Sequence, residues 1–342
     1  MPWFELKGQP LTRRRFGLIV GGALVICLAS ALLSPMFGPV RINVLNAFRD
    51  TSSLDFRILV QARIPRILFS IVVGGVLAMS GVVFQAILRN PLASPFTLGV
   101  SGGASLGAVL AILMGWEVSF HGLSPLPLAS FGGALVVVLV VYALSRGRSH
   151  FSPLTLLLSG VVLNYVCAAL ILLIHYYSNF TKSFLMTRWM MGGLDIYDYS
   201  VFSSLAPFLL LGLPLILSQA RHLNVLSAGE DWATVRGVNA GRVMTVQYFA
   251  TSLITGSVIA YSGPIGFVGL IIPHVLRLVL GADHRILLPT SLFLGGAFLV
   301  VCDTVARTVL APTEIPVGIF TSILGGPFFL WLLLRRRKEF FF

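Results

Sequence analysis

Charge is what this chain has least of. Only 11% of its 342 residues are Asp, Glu, Lys or Arg, while 56% are hydrophobic; a soluble domain carries roughly 25% charged residues. So little polar surface cannot clothe a water-soluble globule of this size, and the chain reads as a polytopic membrane protein. Acid is scarcer than base, 12 Asp and Glu against 24 Lys and Arg. In a soluble protein that excess would suggest nucleic acid. Here the basic residues sit between apolar runs rather than on one polar face, so they read as topology-setting charge at a lipid surface, and no nucleic-acid partner is expected.

Cysteine is nearly absent too. Cys27, Cys167 and Cys302 each lie inside an apolar run, with no CxxC or Cys/His cluster, which excludes a disulfide framework and leaves no metal site to expect. There is no GxxxxGK[ST] phosphate loop and no HExxH zinc motif, so no catalytic residue, metal or cofactor of its own is expected. Proton-coupled carriers place carboxylates or histidines deep in the membrane. Only Asp303 falls within a span, near its end, with Arg307 four residues on as a local partner, and among six histidines only His274 sits in an apolar segment beside helix breakers, reading as a packed side chain. Energy for any transport should therefore come from a partner protein.

What is present is apolar length. A span needs about 20 residues, and ten candidates fit: 16–36, 66–88, 96–114, 125–145, 153–177, 200–219, 243–262, 265–280, 287–309 and 316–334. The eighth is the weakest, short and broken by Pro273, His274 and Arg277. The basic cluster Arg13–Arg15 before FGLIVGGALVICL and Ala29-Ser30-Ala31 fits a cleaved signal peptide, but the run to Leu33 favours a retained first helix. Backbone in a bilayer must satisfy itself, so an all-α fold is expected, one transmembrane domain over 1–342. With both termini inside, 16 of the 24 Lys and Arg fall on the inner side and 8 on the outer. That bias supports the orientation, yet five arginines (Arg41, Arg49, Arg57, Arg63 and Arg66) crowd one outer loop and the helix start beyond it.

Gly99, Gly103 and Gly107 make a smooth strip on the third span, suited to close helix packing. Two breaks resemble one another: RNPLASPFTLG after the second span and YSGPIGFVGL after the seventh, each a Pro/Gly interruption leading into Phe and Gly. The spans before them run in opposite directions, the pattern of inverted repeats whose broken segments mark a transport path. The longest inner loop, ARHLNVLSAGEDWATVRGVNAGR at 220–242, predicts a short helix starting near Ser227 with Glu230 in a capping-box position, broken at Gly237. Its mixed charge favours docking a cytosolic protein over lying on lipid.

RIPR at 63–66, GGVLAMSGVVFQAILRNPLASPFTLGVSGGASLGA at 74–108, GPIGFVGLIIPHVLR at 263–277, GADHRILLP at 281–289 and EIPVGIFTSILGGPFFLWLL at 314–333 resemble the FecCD family over almost the whole chain. These are permease subunits of type II ABC importers for iron–siderophore complexes, haem and cobalamin. The resemblance implies ten membrane helices in a bacterial cytoplasmic membrane, paired with a second permease copy, identical or paralogous. It implies two cytosolic ATPase subunits that use ATP below and an extracytoplasmic binding protein above. The ATPase dock carries over to Ser227, Ala228, Gly229, Glu230, Asp231, Ala233, Gly237 and Val238, with Arg236 departing from the apolar residue common there. The binding-protein dock carries over to Arg63, Arg66 and Arg307, where arginine forks suit partner carboxylates. The path is expected along the second, fifth and tenth spans, with Gln85, Asn164 and His175 as polar candidates within apolar helices. The expected cargo is a ferric siderophore; haem or cobalamin import, and a proton-coupled secondary transporter, are the competing readings.

Overall fold

The computed structural model describes residues 11–40, 42–43, 47, 49–116, 124–146, 152–196 and 198–335. Seven of its helices are long and apolar enough to cross a membrane: α1 (Arg13–Leu33), α2 (Leu54–Ile87), α4 (Pro125–Ser145), α5 (Pro153–Tyr177), α7 (Ser200–Ser218), α10 (Ala240–Ser262) and α12 (His284–Val309). Three apolar helices beside them are α3 (Val100–Met114), α11 (Val268–Leu280) and α13 (Val317–Arg335). Three short polar-edged helices complete the order: α6 (Phe180–Met190), α8 (Ala220–Ser227) and α9 (Glu230–Val235). No strand occurs among the described residues.

Each of the ten expected spans has its helix, with shifted ends. The second starts at Leu54, well before residue 66, and passes through a π-helical turn at Ile58–Arg63. Pro65 lies two residues on; lacking an N–H, it cannot donate to the regular ladder, and the chain widens to absorb the mismatch. The third starts at Val100 rather than 96 and the eighth at Val268 rather than 265, because the prolines of both breaks, with Gly99, Gly263 and Gly266, stay outside the helix.

The centre of the bundle is α2, α10 and α12, whose apolar windows are 83%, 78% and 67% buried, against 11% for α1 and 17% for α5 and α7. The outer helices keep their leucines and valines for lipid. Packing at the centre is set by missing side chains. A Cβ at Gly74 would come 2.6 Å from the Leu299 Cβ, and one at Gly75 2.5 Å from the Leu292 carbonyl, so α2 and α12 meet backbone to backbone. The expected glycine strip on α3 acts likewise: a Cβ at Gly103 would sit 2.5 Å from the Gly133 carbonyl of α4. In lipid, where apolar burial drives no helix together, such close approach is a main source of association.

The inner loop differs from expectation. Ser227 ends α8, its hydroxyl donating back to the Leu223 carbonyl at 2.5 Å, and α9 begins only at Glu230. Gly229, at φ 135°, precedes α9 with no side-chain cap, so the capping box does not form. A glycine at that backbone angle breaks the continuity that a helix from Ser227 would need.

Candidate functional site

The two breaks meet. RNPLASPFTLG and YSGPIGFVGL, far apart in sequence, line one cavity of about 800 Å³ with Ser94, Phe96 and Thr97 from the first, Pro264, Gly266 and Phe267 from the second, and Ile319 and Ser322 from α13. Each break delivers a half-length helix. With 15 residues α3 and with 13 residues α11 reach only about 20 Å at 1.5 Å per residue, short of the ~30 Å hydrocarbon core. Each begins after a residue with positive φ, Gly99 at 82° before α3 and Phe267 at 68° before α11, and neither has a side-chain N-cap. Phe267 holds a conformation that costs a bulky residue energy, and it stays there because Gly325 of α13 leaves its ring room: a Cβ at Gly325 would collide with it.

The first break is tied by its own polar groups. Asn90 Oδ1 accepts from the Leu92 amide at 2.9 Å, Thr97 Oγ1 accepts from the Ser94 amide at 3.0 Å and donates to the Ser94 carbonyl at 2.8 Å. Two of the polar residues expected along the path serve these breaks from behind. Asn164 Nδ2 donates to the Phe96 carbonyl at 2.8 Å. Gln85 Nε2 donates to the Gly269 carbonyl at 3.1 Å. Pro273 stands four residues after Gly269 and has no N–H to give it, so Gln85 supplies the missing donor. Gln85 Oε1 in turn accepts from Arg277. His175, at the end of α5, pairs through Nδ1 with Ser183 Oγ of α6 at 2.7 Å, and none of the three lines the cavity.

At the end of the bundle where α1 finishes, the three arginines of the expected dock turn inward. Arg63 is 4% exposed and its guanidinium donates to the carbonyls of Pro35 and Val40, over Gly38. Arg307, 3% exposed, donates to Ser34 Oγ at 2.8 Å and to the Ser34 carbonyl at 3.3 Å. Both staple the connection that follows α1. Arg66 is the junction: it grips Asp303 through Nε and Nη2 at 2.9–3.2 Å, Glu314 at 2.7 Å and Asp195 at 3.2 Å. The expected local pair of Asp303 with Arg307 is present only as a 3.7 Å contact; the close partner is Arg66, 237 residues away. Arg66, Arg188, Asp195 and Glu314 open onto a cavity of about 450 Å³.

At the opposite end Glu230, first residue of α9, pairs with Arg89, which sits at φ 48° just past α2 and begins the first break. The second short helix is fixed beside it. Asn224 of α8 donates to Asp283 Oδ1 at 2.8 Å and accepts from the His284 amide at 2.7 Å. Burial pushes the Asp283 carboxyl up, but hydrogen bonds from Arg285 and Asn224 outweigh it and hold the group down at about 2. Of the expected ATPase dock, Ala233 is buried and Glu230 is half-buried, while Gly237, at φ 73°, ends the α9 turn.

No metal-ligand cluster joins these groups among the described residues. What the arrangement offers is an uncharged cavity beside two half-helices, with a charged cluster at each end of the bundle. The FecCD transport family matches residues 24–335. The hemin transport system permease protein HmuU of Yersinia pestis is 36% identical over 324 residues, covering 94% of this chain and 97% of that protein. The cobalamin import system permease protein BtuC of Halobacterium salinarum is 43% identical over 284 residues, covering 80% of this chain and 72% of the relative. A solved structure, described as an inward-facing conformation of an ABC transporter assigned to the metal-chelate type, superposes with a TM-score of 0.81 at 32% identity over 93% of this chain and 99% of the other.

Proposed function

The chain belongs to the FecCD transport family, and from that premise we propose that this ABC importer permease carries a metal chelate, with a ferric siderophore as the leading cargo. Its fold is the type II ABC permease fold, and ATP hydrolysis belongs to a separate ATPase subunit. The observation that supports a chelate is the cavity where the breaks meet. Its wall of Phe96, Met190, Met191, Phe267, Leu270 and Ile323 with the hydroxyls of Ser94, Thr97 and Ser322 carries no charged side chain, and its ~800 Å³ suits a drug-sized organic molecule. A metal wrapped in its own organic ligands fits such a wall. The uncapped N-termini of α3 and α11 beside it favour electron-rich oxygens, as in a siderophore. Haem and cobalamin are the rival cargoes, raised by the names of the two relatives.

The proposed cycle is alternating access between two copies of the permease, with both termini on the ATPase side of a bacterial cytoplasmic membrane. Two ATPase subunits dock on residues 227–238. An extracytoplasmic binding protein docks on the opposite face, where Arg66 is already held by Asp303, Glu314 and Asp195 and must share its guanidinium to meet a partner carboxylate. Arg63 and Arg307 can meet one only by releasing Pro35, Val40 and Ser34.

The test is uptake into proteoliposomes holding the permease, its ATPase and its binding protein. Ferric siderophore uptake that stops when the ATPase loses its Walker lysine is the expected result. Uptake of haem or cobalamin without siderophore overturns the cargo, and uptake that persists with the disabled ATPase overturns the ATP-driven scheme.

A further inference from the structure

On the flank of the bundle, away from the path cavity, α4, α7 and α10 enclose a second cavity of about 340 Å³. Its wall is almost wholly apolar: Leu135 and Val138 from α4, Leu211 and Leu215 from α7, Val246 and Phe249 from α10. Leu135, Leu211 and Leu215 are exposed, so the cavity is a slot open at the side of the protein. It runs from the middle of α4 towards the end that carries α8, where Leu215 lies near the finish of α7 at Ser218 and Thr245 near the start of α10 at Ala240.

Cations stand at that end of the slot. Arg242 precedes Val246 by four residues on α10, which places both on one helix face, and helical side chains lean towards the N-terminus, here towards the membrane surface. Arg146 caps the C-terminus of α4, eight residues past Val138 on the same stripe, and Arg221 opens α8 just past the end of α7. All three are exposed, and none has an ion pair among the described residues. Of the carboxylates at this end, Glu230 is engaged with Arg89 and Asp283 with Arg285, while Asp231 is exposed in the first turn of α9.

We propose that this slot is a binding site for an anionic phospholipid of the bilayer, one acyl chain lying along the α4–α7–α10 wall and the phosphate gripped by Arg242, Arg221 and Arg146. An apolar slot alone takes any lipid tail. Three guanidiniums with no ion pair among the described residues, at the α8 ends of the wall helices, add the selection, since they hold phosphate oxygens bidentately and attract negative headgroups. The site stands apart from cargo and path, and holds whichever chelate is carried.

The experiment is native mass spectrometry of the intact transporter, titrated with phosphatidylglycerol and, separately, with phosphatidylcholine of the same chains. Wild type is expected to retain phosphatidylglycerol preferentially. Each of Arg242→Gln, Arg221→Gln and Arg146→Gln should weaken that lipid roughly fivefold and leave phosphatidylcholine binding unchanged, which also shows that the variant is folded. Leu211→Trp, which fills the slot from its exposed side, should reduce both lipids. Equal retention of the two lipids by wild type, or a preference that survives the triple Arg→Gln variant, overturns the site. A disulfide formed between two chains through Leu211→Cys would place a second copy on the slot and overturn it as well.

Discussion

A single arginine, Arg66, binds four parts of the chain. It stands on α2 and holds Asp303 of α12, Asp195 of the segment after α6, and Glu314 of the turn before α13. Asp303 is 1% exposed, so its charge is tolerated only because guanidinium groups meet it. Removing one partner of a buried pair strands the other, at a cost of about 3–5 kcal/mol, whereas replacing both by apolar groups is often neutral. Asp303→Leu alone should therefore lower the melting temperature of the purified permease sharply. Arg66→Leu with Asp303→Leu should recover much of the loss, although Glu314 loses its partner and Asp195 keeps only its 3.7 Å contact with Arg188. A double variant no more stable than the single one would show that the pair does not act as a unit. This junction also accounts for two of the five arginines crowded before and at the start of the second expected span: Arg63 and Arg66 are used up inside the fold, Arg63 on carbonyls and Arg66 on carboxylates. The sequence offered Asp303 and Arg307 as neighbours four apart. It held no signal for Arg66, because a pairing across 237 residues leaves no periodicity to read.

At the scale of elements, apolar length marked a helix at each of the ten expected positions, seven of them long enough to cross a membrane, and the paired Pro/Gly breaks lie side by side on one cavity. Their ends were not legible. Proline and glycine mark that a helix stops, but whether the chain leaves the membrane or turns within it depends on who satisfies the freed backbone groups. For α11 that donor is Gln85, which reading alone placed in the path. Gln85→Leu should leave the Gly269 carbonyl and the Arg277 guanidinium wanting, at about 1–3 kcal/mol for the buried acceptor. Adding Pro273→Ala restores an N–H four residues on and should return part of that stability. In a double-mutant cycle on thermal unfolding, purely additive effects would remove Gln85 as the substitute donor. The docking helix was misread for a related reason: Ser227 and Glu230 have capping-box spacing, yet Gly229 at φ 135° separates them, and Glu230 turns to Arg89 instead.

Across the whole molecule, that last contact joins the two ends of the proposed mechanism. Glu230 opens α9, within the proposed ATPase dock. Arg89 opens the break whose Ser94, Phe96 and Thr97 line the cavity. Between them the chain is held by short ties, Asn90 to Leu92 and Thr97 to Ser94, with Asn164 fixing the far side. A push on α9 therefore has a rigid route into the cavity wall. The pair itself is more than a third exposed on each side chain, and such surface pairs contribute only about 0–1 kcal/mol to stability. Its loss should then show in coupling rather than in folding. Arg89→Glu, facing Glu230, is expected to keep its melting temperature and its ATPase subunits while transporting several-fold fewer chelate molecules per ATP hydrolysed. Combining it with Glu230→Arg restores attraction with the signs exchanged, and transport per ATP should rise again. If Arg89→Glu transports with the wild-type ratio, the motion reaches the cavity by another route, through α8 and its hold on Asp283 and His284, where Asn224→Leu would then be the variant that uncouples.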